Sequence, residues 1–120
     1  DQWIGIRPGT DGLLVLSVIH ELLKTNQIDL GYLVRYTNAT WLVIQEEGAP
    51  DHGLFARDDE GSPLSWNKAN DTIAPALATD ITPAIVGSYE LPDGRNAVPA
   101  CQLLAERYMA DEYIPENVAA

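Results

Sequence analysis

Four consecutive residues, Pro8, Gly9, Thr10 and Asp11, stand where a β-favouring run gives way to an apolar helical pattern. These types in this order can hold a ligand. Glycine lets the backbone turn sharply and approach a partner closely. The first turn of a helix presents N–H groups with no partner inside the helix, and its dipole favours negative charge. The carboxylate of Asp11 could accept two hydrogen bonds from the edge of a guanine. The same residues also suit an ordinary helix start, with Thr10 as N-cap and Asp11 placed against the dipole.

Other chemistry-bearing residues read as structural. His20 lies inside the apolar helix and suits a hydrogen-bonded core position. Along that helix it is separated from Asp11 by a rise of about 13 Å, too far for the two to form an acid–base pair. Cys101 is the one cysteine, so an internal disulfide and a multi-cysteine metal centre are both excluded. Beside a helix start, it reads as a small buried hydrophobe. His52 has Asp51 next to it but no cysteine or second histidine nearby to complete a metal site. Ser62, Ser65 and Ser88 lack the strand-to-helix elbow of a nucleophile. Trp41 and Trp66 read as packing anchors.

These residues need elements to position them. Residues 3–7 form a short strand in this reading, with Trp3, Ile4 and Ile6 as its β-favouring side chains. Pro8-Gly9 stops it, and a helix runs from Thr10 to Lys24 or Thr25. Leu13, Leu14, Val15, Leu16, Val18, Ile19, Leu22 and Leu23 surround most of that helix, whereas a surface helix is apolar along one stripe. It needs cover on nearly every side, as a helix inside a larger α/β layer would have. Asp29 can cap a second, shorter helix through Tyr36. Trp41 to Ile44 is a strand or an extended anchor.

Two hairpins follow. The first has arms at 54–57 and 63–66 around a turn at 58–62. The second has arms at 84–91 and 96–99, turning through Pro92-Asp93-Gly94-Arg95. Residues 68–83 between them read as irregular. A helix returns at Pro99 or Ala100 and runs to Met109. Another restarts at Tyr113, with Pro115 suited to its first turn. The fold class is therefore α+β.

The chain has 120 residues, a size suited to one domain, with 46% hydrophobic residues. Its formal net charge is −11. Binding to nucleic acid or to anionic membranes needs a cationic surface, so this balance argues against both. No apolar run approaches the roughly 20 residues of a membrane helix. The compartment stays open between cytoplasm and periplasm. There is no initiating Met, a strand-like run begins almost at Asp1, and a helix is barely begun at Ala120. Both ends suggest excision from a longer protein.

The run Trp3-Ile4-Gly5-Ile6-Arg7-Pro8-Gly9-Thr10-Asp11-Gly12, the apolar helix with His20, the Ile28-Asp29 pair and Arg35-Tyr36-Thr37-Asn38 resemble the dimethyl-sulfoxide-reductase family of molybdopterin oxidoreductases. The resemblance is strongest over residues 3–43 and looser through the hairpins and residues 102–108. It implies a bis(molybdopterin guanine dinucleotide) molybdenum cofactor. It also places the Arg-Pro-Gly-Thr-Asp stretch in a Rossmann-like domain, where it contacts the guanosine end of one pterin. That contact maps onto Gly9, Thr10 and Asp11. On this reading the chain is an internal fragment of a catalytic subunit. Residues 1–45 belong to the Rossmann-like cofactor-binding domain, 46–99 to a hairpin-rich insertion, and 100–120 to a helical return segment.

The family's molybdenum ligand and its iron–sulfur cysteine cluster have no counterpart here. The isolated chain is therefore expected to hold no cofactor and to catalyse nothing. Its partners would be the remainder of the parent chain and, through the apolar helix, other copies of itself. The competing reading is a free-standing, acidic, non-catalytic protein-interaction module.

Overall fold

A computed structural model describes residues 2–116. Helices and antiparallel strands make it an α+β structure, as expected. The elements in order are helix α1 (Asp11–Lys24), helix α2 (Leu30–Tyr36), strands β1 (Leu42–Ile44), β2 (Leu64–Asn67), β3 (Thr72–Pro75), β4 (Tyr89–Glu90) and β5 (Asn96–Pro99), and helix α3 (Ala100–Tyr108). A 3-10 turn follows at Asp111–Tyr113. The chain divides into two compact units, Asp1–Ile28 with Leu104–Ala120, and Asp29–Leu103.

The smaller unit is built on α1. Its start and end fall where the sequence places them. The end is a Schellman motif, which satisfies the last carbonyls of a helix. The N–H of Asn26 donates to the carbonyl of Leu23 and that of Gln27 to the carbonyl of Leu22. Asn26 takes the left-handed φ of 55° that this motif requires, which asparagine tolerates better than most residues. The two residues that α1 buries are polar, Ser17 and His20. Ser17 Oγ donates to the carbonyl of Leu14, and His20 Nδ1 lies 2.8 Å from the carbonyl oxygen of Tyr108. Tyr108 meets Tyr113 edge to face at 5.2 Å, and the Arg107 guanidinium lies over the Tyr113 ring. Pro115 and Glu116 are helical, so the expected restart falls close to its place, and its continuation lies outside the described residues.

The strand expected at residues 3–7 is not formed. None of Trp3, Ile4, Gly5 and Ile6 enters a ladder or an isolated bridge among the described residues. β-propensity alone does not make a strand, because its backbone groups need a neighbouring strand to bond to. Trp3 is instead 89% exposed.

The larger unit contains the core. β1, β5 and β4 form an antiparallel sheet in that order, with Leu42 opposite Pro99, Ile44 opposite Ala97 and Tyr89 also opposite Ala97. Pro99 has no N–H to give, and it sits at the last position of β5, beyond the stretch that β4 pairs. Leu42, Ile44, Ala56, Leu64, Leu91 and Ala97 make one apolar cluster, with Ile73 and Tyr89 packed against it. Leu42 and Ala97 are wholly buried. At such a site, truncating Leu to Ala costs about 2–5 kcal/mol.

The hairpins differ in detail from their expected arms. β2 pairs with β3, a strand inside the stretch read as irregular. Asp71, with φ 52°, turns the chain between them. The arm at 54–57 contributes an isolated bridge between Arg57 and Pro63 and a hydrogen bond from Leu64 N–H to the Ala56 carbonyl. The arm read as 84–91 shrinks to Tyr89–Glu90. Gly87 interrupts it with φ 116°, and a Cβ there would lie 2.5 Å from the Tyr89 hydroxyl. The Tyr89 ring in turn stacks on Trp66 at 4.6 Å, and Trp41 meets Phe55 edge to face at 5.2 Å, so both tryptophans are packing anchors. Buried polar groups are satisfied. Ser65 Oγ donates to the Thr40 carbonyl, and Asn67 Oδ1 accepts from the N–H groups of Ala69 and Thr82.

Candidate functional site

The turn before α1 is tight and open. Thr10 N–H donates to the carbonyl of Arg7 at 3.1 Å, closing a turn around Pro8 and Gly9. Gly9 has φ 83°, and a Cβ built there would meet nothing within 4 Å. The glycine is therefore required by backbone conformation, while the space above it is free.

Thr10 occupies the N-cap position, but its side chain does something other than cap. Its Oγ1 donates back to the Arg7 carbonyl at 2.5 Å and makes no cap hydrogen bond to the first turn of α1. The Thr10 carbonyl takes the N–H of Leu14. With Thr10 not capping, the positive end of the helix can meet an external anion or acceptor. Asp11 opens the helix with an exposed side chain. Gly9 and Asp11 are exposed and Thr10 between them is half-buried.

The remaining candidates do not join them. His20 is 3% exposed and its Nδ1 faces the Tyr108 carbonyl, a structural role. Cys101 is half-buried in the first turn of α3, and burial pushes its thiol pKa up, away from the reactive thiolate. No cluster of His, Cys, Asp or Glu suited to a metal occurs among the described residues.

Two features of the larger unit carry no signal in the sequence. A cavity of about 910 Å³ is lined by Arg35, Tyr36, Asn38, Trp41, Leu77 and Ile81, among others. None of Gly9, Thr10 and Asp11 contributes to it. Arg95 also bridges Asp51 and Asp93, with 2.8 Å to the latter. Both features depend on residues brought together from distant parts of the chain, which no local pattern can reveal.

No family model matches the chain. It is 39% identical over 128 aligned positions to a sulfite dehydrogenase subunit of Allochromatium vinosum, an alignment that covers 99% of this chain and 13% of that protein. It is 34% identical over 71 positions to the major subunit of the nitrate-inducible formate dehydrogenase of Escherichia coli, covering 56% of this chain and 7% of that protein. The chain is thus a homologue of one small segment of two dehydrogenase subunits.

Proposed function

We propose that the chain is a segment of the catalytic subunit of a molybdenum-dependent oxidoreductase, and that Gly9, Thr10 and Asp11 hold the guanosine end of a bis(molybdopterin guanine dinucleotide) cofactor. The observation that carries this reading is the open turn. A left-handed Gly9 leaves room for close approach. The helix start is uncapped by side chains and can meet a phosphate or ribose oxygen. Asp11 supplies the paired acceptors that a guanine edge needs. These three features fit a nucleotide end, and they fit a metal poorly.

When bound, the cofactor supplies electron transfer through molybdenum. This chain's part is to bind and orient one end of it. The relatives are named for different substrates, sulfite and formate. A segment similar to parts of both suits what such enzymes share better than what separates their substrates. In this reading residues 1–45 belong to a Rossmann-like domain, 46–99 to an insertion and 100–120 to its return.

The test is Asp11→Asn in the full-length gene product, followed by metal analysis and pterin fluorescence. Loss of one charged pair of hydrogen bonds, about 1.5–3 kcal/mol, weakens cofactor retention by roughly tenfold to a hundredfold. The helix content should not change, since Asp11 makes no side-chain cap. Full molybdenum and pterin content in the variant would overturn the site assignment. Absence of both from the wild-type protein would overturn the function.

A further inference from the structure

The cavity in the larger unit has walls fixed by backbone hydrogen bonds. One wall comes from residues 34–41, which run from the end of α2 into β1. There the N–H of Trp41 donates to the Asn38 carbonyl, and the Trp41 carbonyl accepts the N–H of Ala100. The other wall comes from residues 76–83, which follow β3. The N–H of Ala76 donates to the Pro63 carbonyl, and the Thr82 carbonyl accepts the N–H of Lys68. The hollow of about 910 Å³ is therefore preformed. Its size lies within the range of small-molecule sites, roughly 300–1,000 Å³.

The lining is sorted by polarity. Val34, Trp41 and Ile81 are half-buried, whereas Arg35, Asn38 and Thr79 are exposed, so an apolar floor lies under a polar rim. Arg35 is the one charged residue of the lining, and it pairs with no carboxylate among the described residues. Its guanidinium lies 5.4 Å from the centroid of the Tyr36 ring, a contact that leaves its fork of donors unspent. The side chains of Lys24, Arg95 and Arg107 each meet a carboxylate instead. In a chain of net charge −11, a guanidinium left without a carboxylate over an apolar floor favours an anion at this place. The Asn38 amide and the Thr79 hydroxyl likewise make no hydrogen bond among the described residues. The hydroxyls of Thr37 and Thr40 are already bonded, to the Leu33 carbonyl and the Ser65 hydroxyl. We propose that this cavity binds a small organic carboxylate with a planar apolar body. The carboxylate takes the fork of Arg35, Asn38 and Thr79 supply the remaining polar contacts, and the body covers Trp41 and Ile81. An inorganic oxyanion would use the rim alone and gain nothing from the floor. The proposal does not depend on the cofactor, since none of Gly9, Thr10 and Asp11 lines the cavity.

The experiment titrates the full-length protein with 2-naphthoate and with its neutral counterpart, 2-naphthamide, by calorimetry, and repeats the first titration in excess sulfate. The expected result is that naphthoate binds about tenfold or more tightly than the amide, and that sulfate does not displace it. Arg35→Gln, a change at an exposed residue, should bring naphthoate down to the level of the amide. Ile81→Ala should weaken both ligands severalfold, and Arg57→Gln, away from the lining, should change neither. Equal affinity for acid and amide in the wild-type protein would overturn the anion site, and that comparison needs no substitution. Naphthoate binding unaltered by Arg35→Gln would place the ligand elsewhere and overturn the assignment. Displacement by sulfate would reduce the place to a bare anion site and remove the apolar body. No binding of naphthoate by the full-length protein would mean that other sequence fills the cavity, and would equally overturn the proposal.

Discussion

The guanidinium of Arg95 holds two carboxylates at once, Asp51 from the loop after β1 and Asp93 from the turn between β4 and β5. Asp93 also accepts the N–H of Arg95 itself, which fixes the turn. Hydrogen bonds from Arg95 hold both aspartates below their ordinary pKa of 3.8, and the same bonds raise the pKa of Arg95. A carboxyl lowered in the folded state contributes stability above its unfolded pKa, and that contribution is lost as pH falls through the folded value. The clamp is therefore at full strength above about pH 5 and fades on acidification below about pH 4. We predict that Arg95→Ala lowers stability near neutrality and flattens its acid dependence. Urea-unfolding midpoints of the two proteins, compared between about pH 6 and pH 2.5, should converge toward the acid end. Parallel curves would show that the pair is a surface contact with no bearing on folding. Nothing in the sequence announces this clamp, because Asp51 and Arg95 are 44 residues apart and meet only through the sheet.

At the scale of elements, what is legible in the sequence is what is decided locally. α1 is readable from its apolar run and from the Pro-Gly-Thr-Asp start. α2 is readable from Asp29, whose Oδ1 does accept the N–H of Tyr32 at 2.9 Å. The turn holding Gly9, Thr10 and Asp11 also falls where expected, although the Thr10 hydroxyl turns back to Arg7 instead of capping. Strands are less legible, since each depends on a partner supplied by another part of the chain. That is why residues 3–7 read as a strand they do not form, and why β3 lies in a stretch that reads as irregular. The end of α1 offers a test of local control. Asn26 holds the left-handed position of the Schellman motif. Asn26→Gly removes the remaining steric cost and should leave stability unchanged or raise it by up to about 1 kcal/mol. Asn26→Val should lower it by about 1–2 kcal/mol, because a branched side chain resists positive φ. Thermal unfolding of the three proteins decides the matter, and equal midpoints would mean that α1 does not end through this motif in solution.

Across the whole molecule, the apolar interior is unevenly shared. The unit of residues Asp29–Leu103 holds the cluster of Leu42, Ile44, Ala56, Leu64, Leu91 and Ala97. In the other unit, α1 buries Ser17 and His20 while Leu13, Val15, Val18 and Leu22 are exposed. Hydrophobic burial is the main favourable term in folding, so the two units should differ in local stability. The amides of Ile44, Ala56 and Leu64, which bond to Leu54, Leu42 and Ala56, should exchange only through the largest opening of the molecule. Those of Val15, Val18 and Leu22 should exchange through cheaper local opening of α1. In dilute 120-residue chain, hydrogen exchange should therefore be at least about tenfold slower in the first set, a difference of about 1.4 kcal/mol or more. Concentrating the chain should slow exchange in α1 selectively, because the exposed stripe is the surface through which copies would associate. Exchange slowest in α1 at every concentration would mean that the polar contact of His20 with the Tyr108 carbonyl and the tyrosine pair beyond it stabilise the small unit more than its burial suggests.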